Sequence, residues 1–141
     1  MKVLIDEDVA EPFVAMLVYL LPTHEITSVR ESGWSGKKDV PLYADAAKRG
    51  FNLMVSANHH QLRIPNEVRA IRKSKMHVVH FEQADGLSGL GRTAGGLLAA
   101  VVPVIDELDS AQPTSCTNPV HLLTEAARGH DPRKNPPEYW T

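Results

Sequence analysis

MKVLIDED, residues 1–8, opens the chain and decides how the rest is read. Val3, Leu4 and Ile5 are consecutive and apolar, with no polar alternation. A strand made of them is buried on both faces, as at the centre of a parallel sheet. Three acids follow at once: Asp6, Glu7 and Asp8. The carboxyl end of a central strand is where α/β sheets place their chemistry. Asp8 also has the spacing of a helix cap, with Glu11 three residues on and Pro12 in the first turn.

Outward from that strand, helix and strand periods alternate. Phe13, Met16, Leu17, Leu20 and Leu21 share a helical face, and Pro22 ends the helix. His24 to Val29 fits a second strand, and Gly33 and Gly36 mark a loop. Asp39 caps a second helix, with Pro41 near its start and Gly50 as its stop. Residues 51–56 form a third strand. Residues 60–75 form a helical region interrupted by Pro65, and 76–81 form a fourth strand. Leu87 to Leu108 is a long apolar helix, kinked at Pro103. The order β-α-β-α-β-α-β-α predicts an α/β domain over 1–108. It has three layers, with helices on both faces of a mostly parallel sheet of four strands or slightly more. Residues 109–141, rich in Pro, Ser, Thr and Asn, read as a C-terminal tail with a short helix over 120–128.

Composition limits the function classes. The chain has 141 residues, a size that buries a real core as one domain. Its formal net charge of −2 gives no global attraction for nucleic acid, although a local basic patch is compatible with it. Cys116 is the one cysteine, so no intrachain disulfide forms and a cytoplasmic location is expected. No apolar run reaches the about 18 residues of a membrane span, and the N-terminus lacks signal-peptide character.

The acids are the chemical signal. Carboxylates gathered in one place repel unless a cation lies among them or their pKa values rise. Mg²⁺ and Mn²⁺ favour such oxygen ligands, and a bound ion activates water and offsets charge building on a phosphate. Spacing alone leaves two readings open. Asp8 and Asp39 serve as helix caps beside a solvated Asp6-Glu7 loop, or the acids form a divalent-ion site. Asp39 opens the helix before the third strand, and sheet order by itself does not bring it to Asp6.

Two families share the first strand and its acids. A response-regulator receiver needs a phosphoacceptor Asp at the end of strand three, where Ser56 and Ala57 stand. The span from about residue 1 to 82 instead resembles the small bacterial PIN-like proteins, including toxin nucleases of the VapC type. LIDED (4–8) matches their first acidic element, and THEITSVRESGWSGKKDVPLYADAAKRG (23–50) matches the second, with Asp39 as its acid. VSANHHQL (55–62) departs from the third. Ser56 stands for Thr, Asn58 and His60 stand where the pattern has Asp, and Gln61 stands where it has Phe.

The resemblance implies a PIN-like fold and a metal-dependent ribonuclease, the toxin of a toxin–antitoxin pair. One or two weakly bound Mg²⁺ or Mn²⁺ ions would lie on Asp6 and Asp39, with Glu7, Asn58 and His60 completing the catalytic set. The alternative is a weak or inactive PIN-like protein that acts by binding RNA or protein. Arg63, Arg69, Arg72 and Lys73 are the candidate RNA-binding residues, against a plain solvated helix face. Trp34 either stacks on a base or plugs an edge of the core. Glu82 either faces the site or the solvent. The apolar surplus at Leu97, Leu98, Val101, Val102, Ile105 and Leu108 packs on the sheet, with the remainder forming a homodimer or antitoxin surface.

Overall fold

The computed structural model describes residues 1–57, 61, 63–81, 83 and 85–110, of which 100, 101, 104 and 110 by their backbone alone, and the backbone of 120–123 and 129–130. Six strands form one sheet: β1 (Lys2–Ile5), β2 (Glu25–Ser28), β3 (Leu53–Ser56), β4 (His77–Phe81), β5 (Val120–Leu123) and β6 (Gly129–His130). Their spatial order is β2-β1-β3-β4-β5-β6. Every pair is parallel except β5 with β6. The helices are α1 (Glu11–Leu20), α2 (Asp39–Lys48), α3 (Pro65–Ser74), α4 (Gly86–Gly96) and α5 (Val102–Ser110).

The unbroken apolar runs of β1, β3 and β4 have a plain cause. Side chains alternate across a strand, and both faces of this sheet are covered. Leu4, Met54 and Val78 face Leu42, Tyr43 and Ala46 of α2 and Val68 and Ile71 of α3. Val3, Ile5, Leu53, Val55 and Val79 face Phe13, Val14 and Leu17 of α1, together with Leu97 and Ile105. These two cores make the three layers expected from the sequence.

Several local expectations are corrected. The N-cap of α1 is Ala10 and that of α2 is Lys38, and neither makes a side-chain capping bond among the described residues. Asp8 and Asp39 therefore cap nothing, because their carboxyl groups are engaged elsewhere. The long helix does not simply kink. It divides into α4, a π-helical stretch Leu97–Val101, and α5. Pro103 lacks an N–H and its ring crowds the carbonyl one turn back, so a widened turn just before it removes the conflict. Val120–Leu123 is a strand rather than the start of a helix, and it pairs with Val78–Phe81. That pairing satisfies backbone groups along the β4 edge. Residues 124–128 of the expected helix lie outside the described residues.

Leu97 and Ile105 are buried, and Val102 and Leu108 pack against the same core, so most of the apolar surplus is used within the chain. Leu98 stays exposed, as do Leu87 and Leu90 on α4. At the far end of the molecule His24 bonds Asp106 at 3.1 Å, and the N-terminal ammonium pairs with Asp109 at 3.3 Å, tying α5 to the sheet. No helix among the described residues is long and apolar enough to cross a membrane.

Candidate active site

From β1 the chain crosses to β2 on one side and reaches β3 on the other. A parallel sheet opens a crevice at such a switch, beyond the carboxyl ends of the strands. Asp6 lies in that crevice, 8% exposed, and its backbone N–H donates to the Val55 carbonyl at 2.9 Å. Asp8 reaches across the crevice. Its carboxylate accepts from Ser56 Oγ at 3.2 Å and from the Ala57 N–H at 3.0 Å. Asp6 Oδ1 accepts from the Glu7 N–H at 2.7 Å, and Oδ2 accepts from Gln61 Nε2 at 3.3 Å. Gln61 Oε1 in turn accepts from the buried Tyr43 hydroxyl at 2.8 Å.

Two more acids arrive from helix starts. A crossover helix runs antiparallel to its strands, so its N-terminus lies at the carboxyl end of the sheet. Asp39 is the first residue of α2, and Glu67 lies in the first turn of α3. Topology therefore does bring Asp39 toward Asp6, contrary to the expectation from strand order alone. Glu67 hydrogen-bonds Asp39, so one proton is shared between the two carboxyls. A cleft of about 410 Å³ opens beside this pair, between Lys38, Val40 and Pro41 of one helix start and Ile64 and Asn66 of the other.

The electrostatics follow from burial and crowding. Burial raises the Asp6 carboxyl above the usual range, against the bonds from Glu7, Ser56 and Gln61. Asp8 is exposed as a residue, but its carboxyl oxygens turn inward onto β3. Their desolvation, then the charge of Asp6, pushes that carboxyl up to about 6. Asp39 is raised by burial and then by Asp6, and Glu67 by burial and then by Asp39.

These shifts have a sign for stability. A carboxyl whose pKa is raised on folding holds its proton longer when folded, so stability is lost as pH rises from the unfolded to the folded pKa. For Asp8 that window runs from 3.8 to about 6. Without divalent ions, stability in urea is expected to fall between those limits, and Asp8→Asn to flatten the slope. Stability that instead climbs steadily over that range contradicts the crowded-acid arrangement.

A family model described as a PIN like domain matches residues 1–83. The chain belongs to the PIN-like domain family. No curated protein and no solved structure matches it. PIN-like domains form a nuclease-type superfamily, and the matched span ends just after β4, so it contains Asp6, Asp8, Asp39 and Glu67.

Within this PIN-like domain the expected site residues separate. Asp6 lies near enough to Asp39 for its charge to raise the Asp39 carboxyl. Glu7 lies near enough to Asp6 to raise its pKa, but its own carboxylate accepts from the Gly36 N–H at 2.9 Å. Gly36 has φ +74°, a conformation that favours glycine, so Glu7 anchors a loop that depends on that residue. Asn58 and His60 lie outside the described residues, as does Glu82. Arg63, Arg69, Arg72 and Lys73 are exposed. Lys73 lies about 9 Å along α3 from Glu67, at the end where a cation also suits the helix dipole. Trp34 packs edge-on against Phe51 with ring centres 6.2 Å apart, so it closes an edge of the core.

Gln61 and Glu67 line the crevice although the sequence patterns did not select them, and Asp8, open between a cap and one of the gathered acids, lies there too. Asp8 carried the spacing of a cap, and Gln61 counted only as a departure from Phe. The one sequence signal for Glu67 was an acid just after the Pro65 that begins a helix.

The donor set can be judged by its chemistry. Carboxylate oxygens that crowd and desolvate one another suit a hard divalent cation. Among the described residues, no three His, Cys, Asp or Glu side chains are gathered closely enough to close a metal cage. The donors are oxygen ligands of the kind hard divalent cations take, but the described ones do not form a complete set.

Proposed function

We propose that the chain is a metal-dependent endoribonuclease and the toxin half of a toxin–antitoxin pair. The observation that carries the chemistry is the convergence of Asp6, Asp8 and Asp39 at the β1/β3 crevice, each carboxyl raised by burial and by neighbouring acids. Asp6 and Asp39 would hold one or two Mg²⁺ or Mn²⁺ ions. When bound, the ion supplies charge neutralisation at the scissile phosphate and a more acidic water. Asp8, fixed by Ser56 and Ala57, keeps a lone pair on each oxygen for the crevice. Glu67 and Asp39 would share a proton until an ion displaces it. The exposed cations of α3 would follow the RNA backbone. An antitoxin or a second copy would cover the apolar residues left outside on α4, Leu87 and Leu90, together with Leu98.

A second function is favoured by a specific observation. The described carboxylates do not close a cage, and Asn58 and His60 replace the Asp of the family pattern. A protein with that site would bind RNA or a partner and cleave little.

Purified chain incubated with a mixed single-stranded RNA pool separates the two. Cleavage in Mn²⁺ well above an EDTA control is expected. Cleavage that no divalent ion raises, together with retained RNA binding, would establish the second function. Growth arrest on expression in a bacterial host, absent with Asp39→Asn, is the expected sign of the toxin role.

A further inference from the structure

We infer that Gln61 and Tyr43 are positioning residues, a two-step relay that fixes the orientation of the Asp6 carboxylate in the crevice. Tyr43 is fully buried on α2, and Gln61 is 1% exposed. A buried hydroxyl and a buried amide left without partners destabilise the fold, so each must find one. Tyr43 donates to Gln61 Oε1 at 2.8 Å, and Gln61 Nε2 donates to Asp6 Oδ2 at 3.3 Å.

The two ends of an amide are nearly the same shape, so hydrogen bonding decides which way it faces. Turned over, Gln61 would set its oxygen against the Asp6 carboxylate, acceptor on acceptor. The Tyr43 hydroxyl proton would lose its acceptor as well. One arrangement pairs every donor with an acceptor, and the chain adopts it.

The consequence falls on Asp6. Its Oδ1 is held by the Glu7 N–H at 2.7 Å and its Oδ2 by Gln61. Bonds on both oxygens, with Ser56 as a further side-chain partner, fix the plane of the carboxylate. A carboxylate has about four lone-pair sites, so three bonds leave one for a ligand in the crevice. Gln61 also bonds Asp39, so it acts through the two acids of the crevice and touches no reacting atom itself. A buried Gln that only satisfied Tyr43 would have no effect on Asp6.

The Glu7 backbone amide reports the orientation, because it donates to Asp6. Gln61→Met and the double variant Tyr43→Phe/Gln61→Met separate the two roles in the full chain. Gln61→Met strands the Tyr43 hydroxyl and lowers stability. The double variant removes both polar groups and regains most of that loss. In ¹H–¹⁵N spectra without metal, the Glu7 amide resonance is expected to move in both variants. A Glu7 resonance unmoved in the double variant overturns the relay and leaves a simple buried contact.

Mn²⁺ affinity, read by calorimetry, is expected to weaken about tenfold or more in the double variant despite its recovered stability. Parent-like affinity there also overturns the relay. This last measurement rests on the metal-dependent function proposed above. A parent chain that binds no Mn²⁺ sinks that function, while the metal-free spectra still decide the relay.

Discussion

Asp6→Asn is expected to cut Mn²⁺-dependent RNA cleavage by at least about a hundredfold, the scale on which one preorganised electrostatic group acts at a charged transition state. The substitution keeps the shape of the side chain and removes its charge. It should not unfold the protein, because two effects on stability oppose each other. Asn has one acceptor oxygen, whereas Asp6 accepts from both Glu7 and Gln61. One buried donor is therefore stranded, at a cost of about 1–3 kcal/mol. Against that, the repulsion that Asp6 exerts on Asp8 and Asp39 disappears. The melting temperature should move little while cleavage collapses. A fully active Asp6→Asn protein would remove the acidic crevice from the chemistry altogether. Folded but inactive protein would place the defect at the charge itself.

The fold was legible from a few short runs. Val3-Leu4-Ile5, Leu53-Met54-Val55 and Val78-Val79 are apolar without alternation because both faces of the sheet are covered, and each run came out as a parallel strand. Pro22 and Gly50 stopped α1 and α2 as their backbone restrictions predict, Gly50 with φ +82°. Local chemistry failed where tertiary contacts outbid it. Asp8 has every local feature of a cap, but the Ala57 N–H and Ser56 hydroxyl across the crevice took its carboxylate. Those groups are 49 and 48 residues away in the chain, beyond any local pattern. Val120–Leu123 was misread because a short apolar run has no period of its own, and an available sheet edge decides its conformation.

The candidate site was legible in part, for a related reason. Asp6 is a strand-end acid, and its position follows once β1 is central. Asp39 was selected by a pattern, and its place beside Asp6 follows from the antiparallel run of a crossover helix. The same rule, applied to α3, points to Glu67. Gln61 is different in kind. It belongs to no helix or strand period, and its importance is visible only when Tyr43, buried on α2, is seen to need an acceptor.

Leu4→Ala is expected to destabilise the chain by about 2–5 kcal/mol, the range for deleting a fully buried aliphatic side chain. Leu4 is 0% exposed, in the central strand, and its register partner is Met54 on β3. It belongs to the core that includes Leu42 and Tyr43 of α2 and Val68 and Ile71 of α3. Neighbours on two strands and two helices cannot all collapse into the space left behind, so the loss should fall in the upper part of that range. Leu4→Met keeps most of the volume and should cost less than about 1.5 kcal/mol. Urea unfolding of the three proteins checks the ordering. A Leu4→Ala loss below that of Leu4→Met would mean the layer is loosely packed there. The same layer seats Tyr43 and carries Asp39 and Glu67 at its helix starts. Loose packing beneath it could not hold three side chains in fixed relation to Asp6, so the stability of this one leucine bears directly on whether the crevice is preorganised.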